Sequence, residues 1–106
     1  MRRHSRRRPG DLVTTLHAVR AKTLAAMFPE GTPRYYALCK FATDPLYEAV
    51  YTSLAGTRAP VLDIGCGMGL NSVYLRARGL DVPITGIDHN AEKIAIAQGM
   101  AARHAP

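Results

Sequence analysis

The chain has 106 residues, 47% hydrophobic and 21% charged, the length and composition of one small globular domain. Its net charge of +6 is uneven: Arg2, Arg3, Arg6, Arg7 and Arg8 carry five of the positive charges, and removing them leaves +1 for residues 9–106. No stretch approaches the roughly 18 to 20 apolar residues of a membrane span. Two cysteines, Cys39 and Cys66, are too few for a disulfide scaffold and form no CxxC pair or Cys/His array for zinc, so no metal site is expected.

Residues 1–10 read as a basic, disordered tail. Its arginines would attract nucleic acid by simple electrostatics, but no aromatic residue is interleaved for base stacking. No apolar run follows them, as a secretory or twin-arginine signal would need, and with so few cysteines the expected setting is cytoplasmic. Residues 11–58 read as a helical extension. Asp11 offers an N-cap, and Leu12, Leu16, Val19 and Met27, flanked by Val13 and Leu24, recur at helical spacing up to Phe28. Pro29-Glu30-Gly31-Thr32-Pro33 breaks that pattern. Asp44-Pro45 signals a second helix ending near Gly56, with Leu46, Val50 and Leu54 on one ridge and Tyr47 and Tyr51 on the next. The segment between these helices, from Arg34 to Pro45, carries Tyr35 and Tyr36, which in one reading pack a helix onto a sheet.

From residue 59 the pattern changes. Val61-Leu62-Asp63-Ile64 is an apolar run interrupted by an acid, and Gly65, Gly67 and Gly69 follow at alternate positions. That order places a buried strand, a turn stripped of side chains and a helix N-terminus in succession. Leu70, Val73, Tyr74 and Ala77 then form a helical apolar stripe; Arg76 and Arg78 suit its last turn, and Gly79 its end. Pro83 opens a second apolar run, Ile84-Thr85-Gly86-Ile87, closed by Asp88 twenty-five positions after Asp63. An acid at the tip of the second strand of a βαβ unit is where a nucleotide site grips a ribose diol. Asn90 is a cap for a final helix from Ala91 towards Arg103, in which Gly99 costs roughly 1 kcal/mol relative to alanine.

Acid-x-Gly65-x-Gly67-x-Gly69 after a first strand, with a second acid closing Gly86-Ile87-Asp88, resembles the class I S-adenosylmethionine-dependent methyltransferases. The dinucleotide fingerprint G-x-G-x-x-G is spaced differently. The resemblance implies an α/β fold, an incomplete Rossmann-like methyltransferase fold made of its first βαβα unit and preceded by the helical extension. It implies S-adenosylmethionine as cofactor, with Asp63 holding the amino group and Gly65, Gly67 and Gly69 letting the backbone lie against the ligand. Asp88 would accept both ribose hydroxyls, His89 would lie along the adenine, and Cys66 would pack against the strand or the cofactor. On the same resemblance, Tyr35 and Tyr36 would form a lid over the cofactor or the acceptor. The Tyr-Tyr, Lys-Phe and Asp-Pro pattern of residues 35–45 is also similar to small-molecule methyltransferases of bacterial aryl-polyene pathways, which implies a small-molecule acceptor.

Other readings stand beside these. Asp63 could cap the turn or bind nearby backbone amides, Asp88 could hold a turn with Asn90, and Asn71 could offer the ligand a further polar contact or cap its own helix. A dinucleotide-dependent oxidoreductase and a nucleic-acid-binding or nucleic-acid-methylating protein are the alternative functions. No catalytic residue is assigned: His4, His17 and His104 have no partners at informative spacing, and His89 is at the wrong end of the cofactor for a base. Only 46 positions run from Val61 to Pro106, and a parallel sheet is rarely built from two strands. The 59–106 segment is therefore expected to be the truncated start of a longer methyltransferase domain, with the 106-residue chain inactive by itself and Ile84, Ile87 and the first-strand residues partly exposed.

Overall fold

A computed structural model describes residues 9–104, with side chains from 14 to 103. The arginine tail and His4, and the side chains of Asp11, Leu12, Val13 and His104, lie outside the described residues. Three helices come first: α1 (Pro9–Ala25), α2 (Thr32–Thr43) and α3 (Leu46–Leu54). A βαβα unit follows, comprising β1 (Val61–Ile64), α4 (Leu70–Ala77), β2 (Ile84–Ile87) and α5 (Ala91–His104).

Helix α1 starts before Asp11, and its buried face differs from the expected stripe. Ala21, Leu24, Ala25 and Phe28 are buried, whereas Leu16 and Val19 are each 56% exposed. The first three recur at i, i+3 and i+4, and Phe28 completes the row at i+7 from the turn beyond the helix. Small alanines at the contact let α2 approach closely. Arg34 Nε donates to the Phe28 carbonyl at 3.0 Å and fastens the turn between the two helices.

Helix α2 was not expected. It occupies the segment from Arg34 to Thr43, starts just after Gly31 and carries Pro33 in its first turn. Proline there removes an N–H that has no helical partner in any case. Only Ala37 and Phe41 are buried on it, one helical turn apart. Helix α3 has Pro45 rather than Asp44 at its N-cap, and Asp44 just before it accepts the Leu46 N–H through Oδ1 at 2.9 Å. The tyrosine row turns inward, with Tyr47 buried and Leu46 exposed.

Phe41 is the hub of the core. Its ring lies 5.1 Å from Tyr47, 6.1 Å from Tyr74 and 6.2 Å from Phe28, joining α2, α3, α4 and the turn after α1. A polar network runs along its edge. The Tyr74 hydroxyl donates to Glu48 Oε2, and Arg78 donates through Nη2 to Glu48 Oε1 at 2.8 Å and through Nε to Oε2 at 3.2 Å. Arg78 also lies 4.3 Å from the centre of the Tyr51 ring. These contacts fix α3 to α4 and so attach the helical part to the βαβα unit.

Strands β1 and β2 pair in parallel, Val61 opposite Ile84, Asp63 opposite Gly86 and Ile64 opposite Ile87, with α4 as the crossover. On one sheet face Val61 and half-buried Ile84 pack against Leu75, Leu80 and Val82. Leu75 is thus buried where the expected stripe had Ala77, which is exposed, because α4 packs both on the sheet and on the aromatic core. The other face is open: Leu62, Ile64 and Ile87 are exposed, Ile64 by 75%. Helix α5 starts where Asn90 Oδ1 accepts the Lys93 N–H at 3.1 Å, continues through Gly99 and buries Met100 in the core.

Candidate functional site

The carboxyl ends of the two strands meet at the glycine loop, the place where open α/β sheets bind ligands. Gly65, Gly67 and Gly69 take φ values of +73°, +55° and +86°, left-handed backbone that any other residue would enter under strain. Apart from its chain neighbours, no described atom lies within 4 Å of the point where a Gly65 Cβ would sit, so the loop presents bare backbone there. The loop is strapped down over β2, because the N–H groups of Gly65 and Cys66 both donate to the Ile87 carbonyl, at 2.7 and 3.0 Å.

Asp88 braces the loop from the other side. Its Oδ2 accepts the Gly67 N–H at 2.9 Å and its Oδ1 accepts the Asn90 N–H at 2.7 Å. Those two backbone donors, Asn90 first, hold its carboxyl below the usual aspartate range. The turn with Asn90 is therefore present, and a loop contact that sequence reasoning missed is present with it. Each oxygen retains a free lone-pair direction, so these bonds do not remove Asp88 as a ligand acceptor. His89 beside it is fully exposed, with Nδ1 3.8 Å from Asp88 Oδ1.

Asp63 has no such support. Its Oδ2 is buried and has no hydrogen-bond partner among the described residues, so it neither caps the turn nor binds loop amides. Burial raises its pKa. Asn71 does not cap its helix: Gly69 occupies the N-cap of α4 without a side-chain bond, and Asn71 Oδ1 is likewise buried and unpartnered. Cys66 lies over β2, its Sγ 2.7 Å from where a Gly86 Cβ would be. Burial, then the charges of Asp63 and Asp88, push its thiol pKa up, which suits a packing role over a nucleophilic one.

The structure therefore brings Asp63, Gly65, Cys66, Gly67, Gly69, Asp88 and His89 to one end of the sheet. Ile64, Gly65, Ile87, Asp88 and His89 line a depression of about 320 Å³ there. Tyr35 and Tyr36 are not packed onto the sheet; both are exposed on α2, and Lys40 Nζ lies 5.7 Å from the Tyr36 ring centre. Tyr47 on α3 is buried in the aromatic core. Its pKa is pushed up to about 12 by burial and then by charges that include Asp44 and Asp63. A larger groove of about 580 Å³ lies away from the glycine loop, between His17 and the Thr43–Thr52 stretch. Among the described residues, no group of three His, Cys, Asp or Glu side chains is placed to hold a metal, and no helix is long and apolar enough to cross a membrane.

Comparison with curated proteins and with solved structures finds no match. A family model does match: residues 33–105, from α2 through α5, fit the family described as tellurite resistance protein TehB. The match covers more than half of the chain and includes every residue of the glycine-loop site, so the chain belongs to the TehB family, a methyltransferase-like family related to the class I enzymes.

Proposed function

We propose that the chain binds S-adenosylmethionine across the carboxyl ends of β1 and β2, in a Rossmann-like arrangement, as donor for methyl transfer to a small molecule. The observation that carries this reading is the buried, unpartnered Asp63 carboxylate oxygen beside a glycine loop in left-handed backbone. A buried charge without a partner is costly, and a ligand ammonium group would supply one. Family membership supports a methyl donor over a dinucleotide.

In this reading the cofactor supplies an electrophilic methyl on a sulfonium. The chain's own residues bind and orient it. Asp63 attracts the ammonium group, and the bare backbone at Gly65 lies against the ligand, while Lys93 and Ala97 of α5 back Gly67 and Gly69. Asp88, held in place by the Gly67 and Asn90 amides, turns its remaining lone pairs to the ribose hydroxyls. Exposed His89 borders the adenine. No residue of this chain is assigned to the acceptor, and the family description makes tellurite the first acceptor to test. Two free thiols, Cys39 and Cys66, suit a reducing, cytoplasmic setting.

The test is photolabelling with S-adenosylmethionine tritiated in its methyl group. Label should enter the chain, fall with excess S-adenosylhomocysteine and persist with excess NAD. Absence of label, or equal competition by NAD, would overturn the reading.

A further inference from the structure

Two side-chain oxygens buried beside the glycine loop, Asp63 Oδ2 and Asn71 Oδ1, have no hydrogen-bond partner among the described residues. Both are acceptors, and buried acceptors in native proteins are nearly always matched by a donor. The crossover sets the two side chains level with each other. Val61 and Asp63, two apart on β1, share a sheet face; Leu75 and Asn71, four apart on α4, share a helix face. Leu75 and Val61 belong to the same apolar cluster. Helix α4 runs back along β1, as a parallel crossover requires. Two strand residues advance about 6.6 Å and four helical residues about 6 Å. That stagger sets Asn71 on α4 level with Asp63 on β1.

We propose that Asn71 Oδ1 and Asp63 Oδ2 together grip one ammonium group of the bound ligand, so that Asn71 makes the site specific for a ligand with a free amine. The two acceptors differ in charge, and the pairing accounts for both lying buried without a donor among the described residues. An ammonium carries three N–H donors and can serve both oxygens at once. A neutral hydroxyl or water offers fewer donors and no charge to balance Asp63. The inference rests on the methyl-donor reading above and adds to it a residue that discriminates between ligands.

The experiment measures dissociation constants of two ligands, S-adenosylhomocysteine and its analogue lacking only the amino group, for the wild-type chain, Asn71→Leu and Asn71→Asp. Wild type should bind the amine more tightly. Asn71→Leu, of similar volume but without an acceptor, should lose about tenfold or more on the amine and nothing on the deaminated analogue. Asn71→Asp, which keeps an acceptor, should restore the preference. If Asn71 merely braces the fold, for instance by turning its amide to donate to Asp63, Asn71→Leu would weaken both ligands alike or neither, and the proposal is overturned. It is overturned too if Asn71→Asp does not restore the preference. If wild type binds neither ligand, the methyl-donor reading itself falls; if it binds both equally, that reading stands and the ammonium grip does not.

Discussion

Replacing Gly86 by alanine tests how the loop is seated on the sheet. An alanine Cβ at that position would lie 2.7 Å from Cys66 Sγ and 2.9 Å from Cys66 Cβ. Comfortable contact between such atoms begins near 3.5 Å, so one side must move. β2 is held in register by β1, with Gly86 opposite Asp63, and the Cys66 N–H is bound to the Ile87 carbonyl one residue further along. Retreat of Cys66 would therefore stretch that bond and its neighbour from Gly65. Overpacking costs about 1–3 kcal/mol and one weakened hydrogen bond about 1 kcal/mol, giving a loss of about 2–4 kcal/mol. Against a total stability of about 5–15 kcal/mol for a small domain, the urea midpoint should fall visibly. Far-ultraviolet circular dichroism in urea gives the number. Cys66→Gly in the same chain removes both clashing atoms and should recover stability to within about 1 kcal/mol of wild type. Thr85→Ala, exposed on the open face, should change it by less than about 0.5 kcal/mol. A Gly86→Ala chain as stable as wild type, or a failure of Cys66→Gly to rescue it, would refute the reasoning.

Phe41→Ala should remove the hub of the aromatic core at a cost of about 3–5 kcal/mol and abolish a cooperative thermal melt, because Phe41 is fully buried against three other rings. Glu48→Gln should cost about 1 kcal/mol, a figure reduced for solvent screening since the Glu48 side chain is 46% exposed. Tyr74 and Arg78 hold the Glu48 carboxyl below its ordinary 4.5, so its contribution is complete above that value and is lost as pH falls through the lowered one; urea titrations at pH 7 and pH 3 should differ less in the variant. Asp63 is the opposite case. Burial raises its pKa, so ionising it in the fold opposes stability as pH rises, and Asp63→Asn should melt higher than wild type at neutral pH. The same variant should lose the increase in S-adenosylmethionine affinity that wild type gains as pH rises through the raised Asp63 pKa, read by calorimetric titration.

The βαβα unit was legible because its signals are local. Alternate glycines, strand-ending acids and Asn90 each act within a few residues, and the structure places the elements where those signals put them. The candidate site residues were drawn from the same pattern, since strand ends in one parallel sheet must converge. What was not legible depends on distant partners. Helix α2 was masked by the Pro29–Pro33 breaker, although Pro33 read as a first-turn proline would have marked its start. The buried face of α1 was misplaced because Ala21 and Ala25 carry a weaker hydrophobic signal than Leu16 and Val19, yet close helix packing selects them. Glu48, Tyr74 and Arg78 come together across 26 and 30 positions with no sequence cue. The brace from Asp88 to Gly67 and the seat of Cys66 over Gly86 depend on strand register, which composition and spacing do not reveal.

The most direct measurement is an amide-resolved nuclear magnetic resonance titration of the chain with S-adenosylhomocysteine. The account expects saturable shifts concentrated on Gly65, Gly67, Gly69, Asp88 and His89, absent in Asp63→Ala and absent when NAD replaces the ligand. No saturable shift at those amides, or shifts concentrated instead on the groove between His17 and Thr52, would contradict it.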